Sequence, residues 1–386
     1  MKIAITGGAG FIGKHIIQSI LNHKSRSQIK VLDSFDPQVH EKNSIDNFIN
    51  QFPKVDLRVG DICEISDVNW LIEDVDILIH LAAQTGTGQS MYEINRYTRD
   101  NVLGTANILQ CMLDSNSIIK KFILASSRSI YGEGQYEICS NCFEHNQQVV
   151  VRSEEQLRNK NYEPQCYKCG AELSAIPTSE NCAPNPLSYY AETKLIQERQ
   201  VNLYKEKLFE RFITFRFQNV YGEGQSLKNP YTGILAVFST LAKLNQRINI
   251  FEDGLESRDF IHVHDIAETI CHTIFDSNID FDGVFNLGTG SPVSVLEVAS
   301  KIKNYFDSSS ELLISGDFRV GDIRHNYACM QKSNKLNINS KSFISFDQGL
   351  IRFLDSISDF SPTSSDYNKS IEELKRVGMF VSSNNE

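Results

Sequence analysis

The side chains best suited to move a proton are Tyr190 and Lys194 in "LSYYAETKL", together with Ser126 and Ser127 at the end of "KKFILASS". A phenol and an ammonium at i, i+4 lie one above the other on a helix. The lysine charge favours the phenolate, so Tyr190 can take a proton from a hydroxyl near neutral pH while Ser127 hydrogen-bonds the same oxygen. Alone, a Tyr-x-x-x-Lys pair is more often a solvated helix face. It gains meaning beside a hydride acceptor.

The N-terminus offers a seat for one. Strand-like "KIAIT" runs into "GGAGFIGKHI", where Gly8-x-Gly10-x-x-Gly13 is extended by Gly7 to Gly7-x-x-Gly10-x-x-Gly13. Glycines so spaced permit a tight turn, let the backbone approach a pyrophosphate, and put that anion at a helix N-terminus. A lone glycine motif would be an ordinary turn. The strand before it, the amphipathic helix after it and Asp33 closing the next strand supply the context. The Asp33 carboxylate accepts from ribose hydroxyls and repels a 2'-phosphate, which predicts NAD over NADP. The cationic nicotinamide favours the Tyr190 phenolate further.

A third group is Cys139-x-x-Cys142 and Cys166-x-x-Cys169, with 23 residues between the pairs. Four thiolates at this spacing satisfy a closed tetrahedral zinc ribbon, against the alternative of four unrelated cysteines in a polar loop. His145 is the weaker ligand because the thiolates already complete the shell. Ribbons often bind nucleic acid, but this stretch lacks clustered basic residues and interleaved aromatics. A metal-stapled flap beside Tyr190 is the expectation, since so polar a segment cannot hold itself together by burial.

The elements that must position these groups show in the patterning. Apolar runs "KIAIT", "IKVLD", "DILIHLAA" and "KKFILAS" alternate with helical patterns such as "FIGKHIIQSILNH" and "YTRDNVLGTANILQCML". That alternation signals a parallel sheet covered by helices on both faces. It breaks over 135–185 and resumes with "SYYAETKLIQERQVNLYKEKL" and "FITFRF". The expected fold is α/β: a Rossmann-type doubly wound parallel sheet from 1–134 and 186–220, a zinc-ribbon insertion at 135–185, and a smaller C-terminal part over 221–386 that is mainly a substrate-binding lobe. The tail from Ser358 is expected to loosen into solvent past one last short helix.

At 386 residues and 41% hydrophobic, the chain can fill a sizeable core. A net charge of -10 provides no basic field for nucleic acid or an anionic membrane, which points to small-molecule partners. No charged-then-apolar leader and no membrane-length apolar run stand in the sequence, so a cytoplasmic location is expected. In that reducing setting the nine cysteines are read toward metal rather than disulfides.

With these motifs in order, the chain resembles the extended short-chain dehydrogenase/reductase family, and within it the nucleotide-sugar epimerases, over nearly its whole length. The resemblance implies that Ser127, Tyr190 and Lys194 are catalytic. It implies an NAD site made by Gly7, Gly10, Phe11, Ile12, Gly13 and Asp33, with Asp61 and Ile62 of "GDI" at the adenine. Leu81, Ala82 and Ala83 of "HLAAQ" would line the cofactor beside Tyr190 and Lys194. Asn219 of "FRFQNVYG" would face a nucleotide-diphosphate sugar, with Ser127 at the sugar hydroxyl. Arg258 of "SRDFIHVHDIA", with Arg319 and Asp322 of "RVGD", would grip the diphosphate, since a planar fork meets phosphate oxygens in pairs.

Family members that dehydrate the sugar carry Asp-Glu directly after the Ser127 position. Here Arg128 and Ser129 stand there, which leaves C4 epimerisation: hydride leaves to NAD, the keto sugar turns over, and hydride returns to its other face. Ser127 and Tyr190 lie 63 positions apart, far wider than in related epimerases, and the cysteine stretch is nearly all the excess. The four cysteines with "SRSIYGEGQY", "NPYTGILAVF" and "FEDGLESRDFIHVHDI" are similar to the branch acting on dTDP-L-rhamnose, although "ICSNCFEHNQQ" replaces its Pro-rich first knuckle. A 4-keto reductase consuming NAD(P)H is the same-fold alternative. A non-catalytic NAD sensor is the other, and the intact Ser127, Tyr190 and Lys194 count against it. The resemblance also implies a homodimer pairing helices near 97–113 and 188–208 across a two-fold axis.

Overall fold

A computed structural model describes every residue except 25, 143–150, 228–232, 277–280, 320, 361–371, 373–374, 377, 379 and 383–386. Seven strands form the central sheet: β1 (Lys2–Thr6), β2 (Gln28–Asp33), β3 (Asp56–Val59), β4 (Ile77–His80), β5 (Ile119–Ser127), β6 (Phe209–Phe217) and β7 (Gly283–Leu287). All pair in parallel, in the order β3-β2-β1-β4-β5-β6-β7. The order reverses between β1 and β4, and a crevice opens at that point beyond the strand ends.

Successive strand side chains point to opposite faces, so an unbroken apolar strand needs cover on both sides. Ile3, Ile5, Ile77, Ile79, Ile123 and Ile213 face helices α1 (Phe11–His23) and α4 (Val263–Phe275), meeting Ile16, Ile20, Ile266 and Ile270. Ala4, Leu78, Phe122, Leu124 and Phe212 face α2 (Gly104–Asp114) and α3 (Tyr189–Leu208), meeting Ile108, Met112 and Val201. A one-residue slip of any strand would exchange these two sets.

Chain order and spatial order part beyond residue 220. Helix α4 and strand β7, which the sequence reading assigned to the smaller lobe, complete the central sheet. Phe285 and Leu287 pair in register with Phe215 and Phe217, and that registry buries apolar side chains no surface strand would carry. The smaller lobe is built around Ser257–His262, which pairs parallel with Asn219–Tyr221 and His325–Asn326 and antiparallel with Pro292–Ser294. Its core joins Leu235, Phe238, Phe260, Val298, Ile302 and Phe353.

The 135–185 insertion has little regular structure: a two-residue antiparallel pairing of Gln135–Tyr136 with Ala175–Ile176 and the short helix Glu154–Arg158. Buried ions anchor it instead. Arg152 Nε donates to Glu133 (2.8 Å), Nη1 to Glu252 (2.8 Å) and Nη2 to the Asp322 carbonyl (2.9 Å). Arg324 donates from the lobe to Glu163 in the insertion and to Asp253. Removing one partner of such a buried pair typically costs about 3–5 kcal/mol. The insertion is therefore joined firmly to the smaller lobe.

The chain end also differs from expectation. Phe380–Val381 pairs antiparallel with Phe318–Arg319, Phe380 packs edge-on against Phe251 (5.5 Å between centroids), and Val381 joins Leu157, Tyr162 and Phe318. The short helix expected in that tail falls largely outside the described residues.

Candidate active site

The crevice between β1 and β4 holds a cavity of about 330 Å³, lined by Gly7, Gly10, Phe11, Ile12, Gly13, Asp33, Asp61, Ile62, Leu81, Ala82, Ala83, Tyr190 and Lys194. These are the residues expected to bind the dinucleotide, gathered from five stretches of chain. Gly7 has φ +66°, and a Cβ there would sit 2.8 Å from the Ala82 amide nitrogen. A Cβ on Gly13 would sit 2.5 Å from the Gly8 carbonyl oxygen, so α1 starts against the loop only with glycine. Asp33 accepts from the amides of Ala9 and Phe35 (both 2.9 Å), which fixes the loop and leaves lone pairs for ribose hydroxyls. His40 also lines the cavity, its Nε2 3.4 Å from Asp33 Oδ1. No motif marks His40 in the sequence.

A buried polar chain sets the opposite wall. Thr6 Oγ accepts the amides of Leu81 and Ala82 (both 3.1 Å), so its proton goes to His80 Nδ1 (2.7 Å). His80 Nε2–H then donates to Thr105 (2.9 Å). Burial, with the nearby Lys194 charge, lowers His80 from 6.5 to about 3. The unfolded chain takes this proton first. The stabilising contribution is therefore complete above about pH 6.5 and lost as pH falls toward 3, by about 2 kcal/mol between pH 6.5 and 5. His80→Gln should flatten the dependence of urea stability on pH across that window, and an unaltered slope would refute this assignment.

The proton-transfer groups meet at the ends of β5 and α3. Ser188 caps α3, its hydroxyl accepting from the Ala191 amide (3.2 Å), so the first turn presents Tyr190. Lys194 Nζ donates to the Ala125 carbonyl (2.9 Å). Ser127 Oγ accepts from the Ser129 amide (3.2 Å) and hydroxyl (2.9 Å), so its own proton remains to be donated, and Ser127 stands close enough to Tyr190 to lower its pKa. Burial raises the Tyr190 pKa, and Ser127 and then the Arg128 charge pull it back. Lys194 itself is brought down to about 7 by burial, with Glu198 opposing. Glu198 is gripped in turn by Arg216 (2.7 Å) and Ser126.

The expected substrate residues gather beyond the cavity lining. Arg128 Nε donates to Asn219 Oδ1 (3.0 Å). Arg258 contacts Asp322 Oδ1 (3.3 Å) and donates to the carbonyls of Ser257 (2.9 Å), Ile323 (2.5 Å) and Arg324 (3.0 Å), so much of its fork holds the chain. Arg319 lies over the Phe251 ring (5.0 Å) with a buried Nε lacking a hydrogen-bond partner among the described residues. Burial would raise Asp322, but Arg258 and Arg319 hold it below the usual carboxylate range.

The four sulfurs of Cys139, Cys142, Cys166 and Cys169 lie within 4.8 Å of one another. Zinc–sulfur bonds of about 2.3 Å in a tetrahedron require sulfurs roughly 3.8 Å apart, so the set fits that ion. Gly170 (φ +72°) turns the second knuckle, its amide donating to the Cys166 carbonyl (2.8 Å). Amides of Lys168 and Cys169 point at the Cys166 sulfur. His145 lies outside the described residues. Among the described residues no helix is long and apolar enough to cross a membrane.

The chain is similar to known proteins along most of its length. It is 33% identical over 352 residues to a dTDP-L-rhamnose 4-epimerase of Burkholderia thailandensis, covering 90% of this chain and 93% of that protein. It is 30% identical to a putative UDP-glucose 4-epimerase of Methanocaldococcus jannaschii, covering 86% and 92%. The fold matches the UDP-glucuronic acid 4-epimerase of Bacillus cereus, solved with UDP-glucuronic acid and NAD, at a TM-score of 0.74 and 23% identity, over 94% of this chain and all of that one. The NAD dependent epimerase/dehydratase profile matches residues 3–154 and 165–288, which take in the glycine loop, Ser127, Tyr190, Lys194 and β7. Motifs, sheet order and similarity agree that this chain belongs to the NAD dependent epimerase/dehydratase family, as an NAD-dependent nucleotide-sugar epimerase.

Proposed function

We propose that the chain interconverts dTDP-L-rhamnose and dTDP-6-deoxy-L-talose through a 4-keto sugar, with NAD retained between turnovers. The observation carrying this reading is the meeting of Ser127 and Tyr190 beside the cleft that the glycine loop and Asp33 line, with Arg128 and Ser129 where a dehydrating enzyme needs two acids. NAD, when bound, supplies the acceptor and returning donor of hydride. Tyr190 takes the C4 hydroxyl proton and later gives it back, Ser127 holds the same oxygen, and Lys194, anchored on the Ala125 carbonyl, would help hold the cofactor. Net redox change is nil, so no cosubstrate is consumed. Asn219, Arg258, Arg319 and Asp322 form the diphosphate end of the site.

Zinc held by the four cysteines would leave no open position for water or sugar, so its part is to shape the flap. The exposed Leu103 and Leu203 on α2's approach and on α3 support a homodimer through those helices; a single-chain mass by light scattering would count against it. The function is tested by denaturing purified protein and assaying released NAD, then following dTDP-L-rhamnose and a panel of other nucleotide sugars by NMR. Appearance of the C4 epimer without added cofactor is the expected result. Turnover only with added NADPH would instead identify the reductase.

A further inference from the structure

We infer that Arg128 binds the β-phosphate of the nucleotide sugar, an assignment that rests on the proposed function and extends it by a residue. The side chain leaves the end of β5 and crosses toward the lobe, where its Nε is fixed on Asn219. Its Nη1 is buried and has no hydrogen-bond partner among the described residues. A guanidinium nitrogen can only donate, so this one calls for an acceptor that the described residues do not provide.

The surrounding charges say what kind of acceptor. Arg128 lies within electrostatic reach of Arg258, Asp322, Asp259 and Tyr190. Asp259 already accepts from Thr289, Gly290 and Ala328. Asp322 is shared by Arg258, Arg319 and Arg152, the last of which is satisfied by Glu133 and Glu252. Glu256 also lies within reach of Arg258, but burial, followed by repulsion from Glu252, pushes its carboxyl up to about 8, so it carries little charge at neutral pH, and Arg128, Arg258 and Arg319 converge on the ionised Asp322. Uncompensated buried cations are costly, and a diphosphate supplies the missing negative charge in a form a planar fork can meet. Burial, followed by repulsion from Arg258, lowers Arg128 to about 9, in keeping with a cation short of a counter-charge. Of the three, Arg128 also acts on Tyr190. It therefore stands at the sugar end of the diphosphate, against the β rather than the α phosphate.

Calorimetric titration of the NAD-loaded protein with dTDP and with dTMP tests this. Wild type should hold dTDP the more tightly. Arg128→Met should weaken dTDP by roughly 10- to 100-fold, the worth of a charged hydrogen bond, while changing dTMP by less than about twofold. Arg128→Lys keeps charge and most of the volume, should lose an intermediate amount, and decides the matter if the Met variant does not fold. Equal dTDP affinity in wild type and both variants would overturn the assignment and leave the epimerase reading intact. So would a fall in kcat/KM for the sugar nucleotide with dTDP affinity unchanged, since the contact would then be to the sugar. Wild type that binds neither nucleotide would sink the epimerase reading, and this inference with it.

Discussion

Tyr190→Phe is expected to lose turnover by about 10²- to 10⁴-fold while keeping both its fold and its NAD, because a positioned acid/base contributes that much and little else depends on the hydroxyl. The ring packs edge-on against Tyr97 (6.4 Å between centroids), a contact phenylalanine preserves. The residues fixing the dinucleotide loop, Gly7, Gly13 and Asp33, lie on other elements. Loss of the oxygen leaves Ser127 able to hold the sugar hydroxyl but unable to relay its proton, since Ser127 already accepts from Ser129. Turnover of the variant within about threefold of wild type, measured by NMR with NAD content checked in parallel, would end the assignment of Tyr190 as proton acceptor.

Cys166→Ser is expected to abolish stoichiometric zinc and loosen the insertion, because structural zinc in small folds contributes about 10–16 kcal/mol and the flap has few buried apolar contacts of its own. NAD retention should survive, since the glycine loop and Asp33 lie outside 135–185. KM should rise more than kcat falls. Arg152 and Glu163 carry the flap onto Asp322 and Arg324, beside Arg258, so a loosened flap disturbs the diphosphate end before the proton-transfer end. Limited proteolysis, metal analysis and steady-state kinetics read these three effects separately. Zinc absent from wild type purified without chelator, or a zinc-free variant with a protease-resistant flap and unaltered KM, would overturn this picture.

The sequence determined what short-range physics writes locally. Gly7 and Gly13 are required by a turn that leaves no room for Cβ, and the apolar runs of β1, β4 and β5 must be buried on both faces. Two Cys-x-x-Cys knuckles announce a tetrahedral thiolate set, and the i, i+4 spacing stacks Tyr190 over Lys194. Tertiary structure alone decided what depends on residues distant in the chain. The return of β7 to the sheet rests on pairing with β6, whose partner strand no local pattern identifies. The hydrogen-bond sequence from Thr6 through His80 to Thr105 joins three elements by side chains that individually look unremarkable. Arg128 reads in the sequence only as a missing acid; its meeting with Asn219, Arg258 and Asp322 comes from the fold. Long-range placement of charge obeys burial and Coulomb's law in three dimensions, and a one-dimensional pattern does not encode which guanidiniums will share a carboxylate.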